Sequence, residues 1–312
     1  MKKDERIIVQ MIQEICNEED ISFTSFSYDW ILRLHKKQKI GFIFGYNFSL
    51  NNATSARICD DKCAASDVLL NIGIPTVEHF LFLRPENMNY IGESGNWNEI
   101  ISLFKQYNVL VCKENIGTGG KAVFLVKNQA QLEVAIHYIF GYSRAVAVCP
   151  YYNILKEYRA IILDNKVKLM YAKNVPYVVG DGKKKIRQLL LEYMSINQVI
   201  LKYEFDDEVL ETILQKGDEY NIDWKSNLGL NAIPEIITDE KLYFDLSELA
   251  LKTTRALSIN FASVDMVKTS EGLKILEVNC GIMMENFIKS ASKNYDIAKE
   301  IYREAVKLMI EK

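Results

Sequence analysis

Three glycines in four positions, Gly117, Gly119 and Gly120, sit with Thr118 between two lysines, Lys113 and Lys121, in the run VCKENIGTGGKAV. Glycine lets the backbone approach a ligand closely and turn successive N–H groups inward, a nest suited to phosphate. Glycines alone are equally compatible with a flexible hairpin. The bracketing cations shift the balance toward a polyphosphate. Neither the Walker pattern nor the dinucleotide GxGxxG fits this run.

A second group of residues lies near the C-terminus. Phe261 to Val267 reads as a strand, Ser270 to Gly272 as a turn, and Leu273 to Asn279 as the partner strand. Alternation in the partner places Leu273, Ile275, Glu277 and Asn279 on one face, with Asp265 able to sit opposite them. Two carboxylates and an amide oxygen crowded together repel unless a cation lies between them. Hard oxygen donors of this kind suit Mg2+, with Mn2+ as a substitute, bridging substrate phosphates. The alternative, solvent-facing strand ends, is weakened because both acids interrupt apolar runs, FASVDMV and KILEVN.

The elements that must position these groups follow from hydrophobic periodicity. Ile7, Ile8, Met11, Ile12 and Ile15 mark one face of a helix over 5–16, and strands are expected over 21–26 and 40–46. Lys62 to Asn71 reads as a helix stopped by the Gly73-Ile74-Pro75 turn. A short α/β segment thus spans 1–83. From 84 to 150 the pattern predicts a helix at 96–106, strands at 109–113 and 122–126, a helix at 130–140 and a strand at 145–149. The glycine run falls between the first two of those strands. Residues 151–312 hold strands at 157–163 and 166–173, helices at 186–194, 207–215 and 239–257, the carboxylate hairpin, and a closing helix at 297–310. Tightly connected strands with helices on one side imply antiparallel sheets in an α+β arrangement.

The lysine–glycine lid followed by an Asp strand and a Glu-x-Asn strand resembles the ATP-grasp pattern, and four further segments agree. Asp61-Lys62 with Leu69-Leu70 and Gly73-Ile74-Pro75 is similar to the DK…LL…GIP run that precedes the domain in many members. Val148-Cys149-Pro150-Tyr151-Tyr152 with Glu157-Tyr158-Arg159 resembles the hinge that holds adenine, Glu157 taking the place of the ribose-binding acid and Arg159 that of the phosphate- or substrate-facing arginine. Val178-Val179-Gly180-Asp181-Gly182 resembles a segment of cyanophycin synthetase. Trp224-Lys225-Ser226-Asn227-Leu228 resembles the RSNL segment of glutathione synthetases and of the glutamate ligase acting on a ribosomal protein. Glu114 stands where many members have Pro, Cys149 where an acid is common, and Asn231-Ala232 where a glycine pair follows.

The resemblance implies two α+β lobes clamping ATP, and a ligase that joins a carboxylate to an amine through an acyl phosphate. It implies ATP contacts from Lys62, Lys113, Gly117, Thr118, Gly119, Gly120, Lys121, Cys149, Pro150, Tyr151, Tyr152 and Glu157. Asp265, Glu277 and Asn279 would hold the metal, and Arg159, Lys225 and Asn227 would serve the chemistry. Competing readings are a phosphotransferase on the same clamp and a nucleotide-binding protein without turnover.

Composition narrows the partners. The 312 residues are 49% hydrophobic, and 38 basic residues nearly balance 41 acidic ones, for a net charge of −3. Such a chain presents no global field for nucleic acid or an anionic membrane. No apolar run has the length of a membrane span, and the N-terminus reads neither as a signal peptide nor as an anchor. Six scattered cysteines without a CxxC pair read as reduced thiols of a cytoplasmic protein. The partners expected are small-molecule or peptide substrates bearing carboxylate and amine; a homodimer is an admissible assembly. His35, His79 and His137 stand apart and are expected to be structural or exposed.

Overall fold

The computed structural model describes residues 6–90, 97–117, 122–197, 207–222 and 233–311. Its contacts divide the chain into two units, one formed by Met1–Ala172 with Ile236–Lys312 and the other by Lys173–Glu235.

The first unit begins with α1 (Ile7–Glu18), whose Ile8, Met11, Ile12 and Ile15 are fully buried, as their spacing predicts. An antiparallel meander follows, in the order β1 (Ser22–Phe26), β2 (Ile31–Lys36), β3 (Lys39–Phe44) and β4 (Asn47–Phe48). The sequence suggested a short α/β segment here with strands at 21–26 and 40–46, without the strand Ile31–Lys36 that makes the meander antiparallel throughout. The turns explain the difference. Ser27, Tyr28, Asp29 and Lys37 take left-handed φ values of 51°, 57°, 66° and 54° and reverse the chain at once, leaving no length for a crossover helix. Helices α2 (Ala53–Asp60) and α3 (Lys62–Asn71) come next, capped by the side chains of Asn52 and Asp61.

Strands β5 (Phe80–Leu83), β6 (Leu110–Glu114), β7 (Val123–Val126) and β8 (Ala145–Pro150) form an antiparallel sheet in the order β5-β8-β6-β7. With α4 (Trp97–Tyr107) and α5 (Gln129–Phe140) in the chain between them, they supply a core of Phe82, Ile100, Leu110, Cys112, Val126, Leu132 and Val148. Strand β9 (Lys156–Leu163) leads to β10 (Lys166–Asn174), whose end enters the second unit.

In that unit β11 (Tyr177–Val179), α6 (Ile186–Asn197), α7 (Asp207–Leu210), β12 (Glu219–Asn221) and most of β13 (Ile233–Ile236) are described. Val178, Ile186, Leu189, Leu190 and Ile222 make its core. The helix expected over 207–215 stops at Leu210. Beyond it the backbone bonds outward instead, Ile186 N–H donating to the Thr212 carbonyl at 2.9 Å and Gly182 N–H to that of Leu214 at 3.1 Å. These bonds press Gly180 against the returning chain. A Cβ there would lie 2.2 Å from the Gln215 carbonyl oxygen, a backbone atom that cannot step aside. Gly180→Ala should therefore lower the stability of this unit by about 1–3 kcal/mol, read as faster limited proteolysis within 173–235. Gly41→Ala is the control, since its Cβ would meet only the flexible Met309 side chain, at 2.6 Å.

Back in the first unit, α8 (Glu240–Ala256) precedes the hairpin β14 (Phe261–Thr269) and β15 (Gly272–Asn279), then α9 (Glu285–Ser290) and α10 (Asn294–Glu311). Strands run in the order β10-β9-β14-β15, with β14 antiparallel to both neighbours. One face of these strands buries Ala160, Ile162, Val264, Met266, Ile275 and Val278 in a core shared with Leu246 and Ala250 of α8. Two asparagines tie the N-terminal meander to the hairpin. Asn51 receives the N–H groups of Asn260 and Phe261 at 2.9 Å each and donates to the Phe261 carbonyl at 2.7 Å, while Asn47 forms a bridge with Gly281 just beyond β15.

Candidate functional site

The carboxylate hairpin forms as the sequence predicts, with one deviation. Asp265 pairs with Glu277, but Met266 pairs with Ile275, so Leu276 is an extra residue in a β-bulge. That residue breaks the simple alternation. Ile275 was expected beside Glu277, yet it is buried with Val278 and Met266 on the opposite, apolar face, where Leu273 also packs. Glu277 and Asn279 keep a common face, and the Asn279 amide donates to the Glu277 carboxylate at 3.2 Å.

Asp265 faces Arg159 on its other side, in register across β9 and β14. The guanidinium donates twice, from Nε at 2.7 Å and from NH2 at 2.6 Å, to the two oxygens of a carboxylate only 1% exposed. Burial alone would favour neutral Arg159, but the Asp265 charge and these bonds hold its pKa well above the usual range. The result is a transverse row, Arg159–Asp265–Glu277, on three neighbouring strands. Arg159 offsets one of two facing carboxylates, and Glu277 with Asn279 leaves further oxygens on the same face. Among the described residues no cluster of three His, Cys, Asp or Glu side chains could hold a metal. The donor set is two carboxylates and an amide, and hard oxygens of this kind fit Mg2+.

The lysines converge on the same region. Asp61 caps α3, and the next residue, Lys62, sends its ammonium to the carbonyls of Asn115 at 3.3 Å and Gly117 at 2.7 Å. Asn115 returns the contact, its side chain accepting the Cys63 N–H at 3.1 Å. Burial lowers the Lys62 pKa, Glu277 and Glu114 oppose that shift, and Lys113 adds to it. Lys113, on β6, is buried as well, at 8% exposed. The first residue of the glycine run, Gly117, is held close, for a Cβ there would lie 2.6 Å from a Glu114 carboxylate oxygen. Thr118, Gly119, Gly120 and Lys121 lie outside the described residues, as do Lys225 and Asn227.

Cys149 is buried among Val77, Val111 and Val267, with Tyr152 and Leu276 at the margin, an apolar patch adjoining the row of charges. Burial raises the Cys149 pKa, so the thiol stays protonated. At the adjoining hinge Pro150 has no N–H, and the Tyr151 N–H donates to the Val109 carbonyl at 3.1 Å. Tyr151 is exposed and Tyr152 half-buried beneath the Lys274 ammonium. Glu157 is buried opposite Val267.

His79, expected to be structural or exposed, is the buried case. It is only 3% exposed, and neither ring nitrogen has a hydrogen-bond partner in the structure. Burial, with Lys113 and Lys62 adding to it and a weak contact with the Val77 carbonyl opposing it, holds its pKa well below the ordinary value. His79 lines a recess with about 10 Å3 open to a water, together with Lys62, Ser66, Thr76 and Glu277. Nothing in the sequence around VEHF marked it, because its neighbours come from four separate segments.

The chain is similar in sequence and in fold to several known proteins. The profile of the RimK-like ATP-grasp domain matches residues 184–304. The tetrahydromethanopterin:alpha-L-glutamate ligase of Methanocaldococcus jannaschii is 26% identical over 184 residues, covering 58% of this chain and 48% of that protein. The cyanophycin synthetase of Trichormus variabilis is 23% identical over 250 residues, covering 72% of this chain and 26% of that protein. The chain thus spans about half or less of these curated relatives. The D-alanine–D-alanine ligase of Bacillus anthracis superposes with a TM-score of 0.54 at 20% identity, over 84% of this chain and 69% of its own, which establishes a shared fold.

Proposed function

We propose, from the match of residues 184–304 to the RimK-like ATP-grasp domain and the fold shared with the D-alanine–D-alanine ligase, that this chain is an ADP-forming ATP-grasp ligase that joins a carboxylate to an amine. The observation that carries the reading is the row Arg159–Asp265–Glu277, with Asn279 beside Glu277 and the Lys62 ammonium within electrostatic reach of it. A triphosphate needs positioning and charge stabilisation more than covalent help from the protein.

In this reading Lys113, Lys62 and the run Gly117 to Lys121 hold the phosphates. Asp265, Glu277 and Asn279 would hold Mg2+, or Mn2+ in its place, which supplies charge neutralisation of the triphosphate. The apolar patch around Cys149 takes the adenine ring, with Pro150, Tyr151 and Tyr152 beside it and Glu157 toward the ribose. A carboxylate oxygen of the substrate attacks the γ-phosphorus and ADP leaves. The amine then attacks the acyl carbon, losing a proton as phosphate departs. Arg159 stabilises negative charge on the phosphoryl group and on the tetrahedral state. Lys225 and Asn227 keep the roles the resemblance gives them.

The proposed functional division is an N-terminal segment at 1–83, a small lobe carrying the lid at 84–150 and a large lobe carrying the metal site at 151–312. The relatives include a glutamate ligase and a cyanophycin synthetase, which favours an amino acid or short peptide as substrate. Among the described residues no helix is long and apolar enough to cross a membrane, and six buried free thiols favour a reducing compartment, the cytoplasm.

The test is ADP release from ATP and Mg2+ with amino acids and short peptides supplied as carboxylate, as amine, or as both. A sustained rate is expected only with both, together with a condensed product by mass spectrometry. ADP release without any amine, leaving a stable phosphorylated product, would assign a phosphotransferase instead.

A further inference from the structure

A buried imidazole with neither nitrogen in a well-formed hydrogen bond is a rare arrangement, since a polar group taken out of water must recover its hydrogen bonds elsewhere. His79 is such a group, and the recess it lines offers the missing partners. Ser66 is already engaged, donating to the Val77 carbonyl at 3.1 Å and accepting the His79 backbone N–H at 3.2 Å. Thr76 donates to the Ile74 carbonyl at 3.1 Å and keeps lone pairs that can accept. Two of the three Lys62 ammonium protons reach carbonyls, leaving a third. The Glu277 carboxylate closes the set.

We propose that one water molecule occupies this recess and links the His79 imidazole to the Glu277 carboxylate, making His79 a positioning residue for the metal-holding side chain. A buried water needs two to four polar partners and roughly 10–15 Å3 of water-accessible space. Thr76, Lys62, His79 and Glu277 supply both acceptors and donors around about 10 Å3 of space open to a water, room for one molecule. A carboxylate whose outer oxygen is tethered in this way meets a metal in one orientation. Its removal leaves the carboxylate in place but free to turn. The inference rests on the metal and nucleotide reading above and adds to it a residue outside the ATP-grasp motifs.

The experiment measures Mn2+ affinity in the presence of ADP, by the paramagnetic signal of free Mn2+, for wild type, His79→Leu and His79→Gln. Metal-free ADP affinity and thermal midpoint are recorded alongside. His79→Leu should weaken Mn2+ binding roughly tenfold or more, with ADP affinity and midpoint unchanged, a split that a merely structural histidine would not produce. His79→Gln, which can still bond the water, should recover most of the loss. Unchanged Mn2+ binding in a folded His79→Leu protein overturns the inference while leaving the ligase reading intact. Failure of the wild type to bind Mn2+ with ADP overturns both. Should His79→Leu not fold, a high-resolution crystal structure of the wild type decides, a dry recess or a direct His79–Glu277 bond being the contrary result.

Discussion

Glu277→Gln is expected to lower ATP-dependent ADP release by roughly 10²–10³-fold, with the fold intact. The substitution keeps the shape of the side chain and an oxygen for the Asn279 amide, which donates at 3.2 Å in the wild type. It removes a negative charge directly opposite Asp265, where like charges disfavour the strand pair. Stability should therefore hold or rise slightly, while divalent cation is bound less well. Steady-state turnover across a Mg2+ series, with a thermal melt of the same sample, checks both halves. Wild-type turnover at every Mg2+ concentration would strip Glu277 of its proposed role.

The second large effect is on stability. Asp265 is 1% exposed and Arg159 20% exposed, and two charge-assisted bonds join them across β9 and β14. Asp265→Ala leaves the guanidinium buried without its counter-charge, a loss expected at about 3–5 kcal/mol. Replacing both partners by apolar residues of similar volume, Arg159→Met with Asp265→Leu, should cost far less, because no charge is then left unpaired. Urea unfolding of the three proteins makes the comparison. Equal destabilisation by the single and double changes would contradict the account. The folded double variant should still lack turnover, which separates the pair's structural part from its chemical one.

Much of this architecture was legible from periodicity. The helix α3 and the hairpin β14–β15 fall where apolar spacing and Gly turns put them, since each is a local pattern with one buried face. Local pattern fails where one residue changes the phase. Leu276 is an ordinary strand residue by type, and only pairing with Asp265 and Met266 makes it a bulge that sends Ile275 to the core and Glu277 to the other side. The strand Ile31–Lys36 was hidden for a different reason, being short and basic, with Arg33, His35 and Lys36 half-buried around the two buried leucines Leu32 and Leu34. The His79 recess could not be read at all. Its walls are contributed by α2, α3, the chain before β5 and β15, and spatial neighbours so distant in sequence leave no spacing to recognise.

The asparagine ties at the open end of the hairpin bear on how the N-terminal meander should be viewed. By gripping Asn260 and Phe261 through Asn51, just after β4, and the chain at Gly281 through Asn47, it acts as a splint across the open end of the hairpin whose strands carry Asp265, Glu277 and Asn279. An appendage that merely decorated the catalytic body could be shed or exchanged freely during evolution. A splint of this kind has to be inherited together with what it braces.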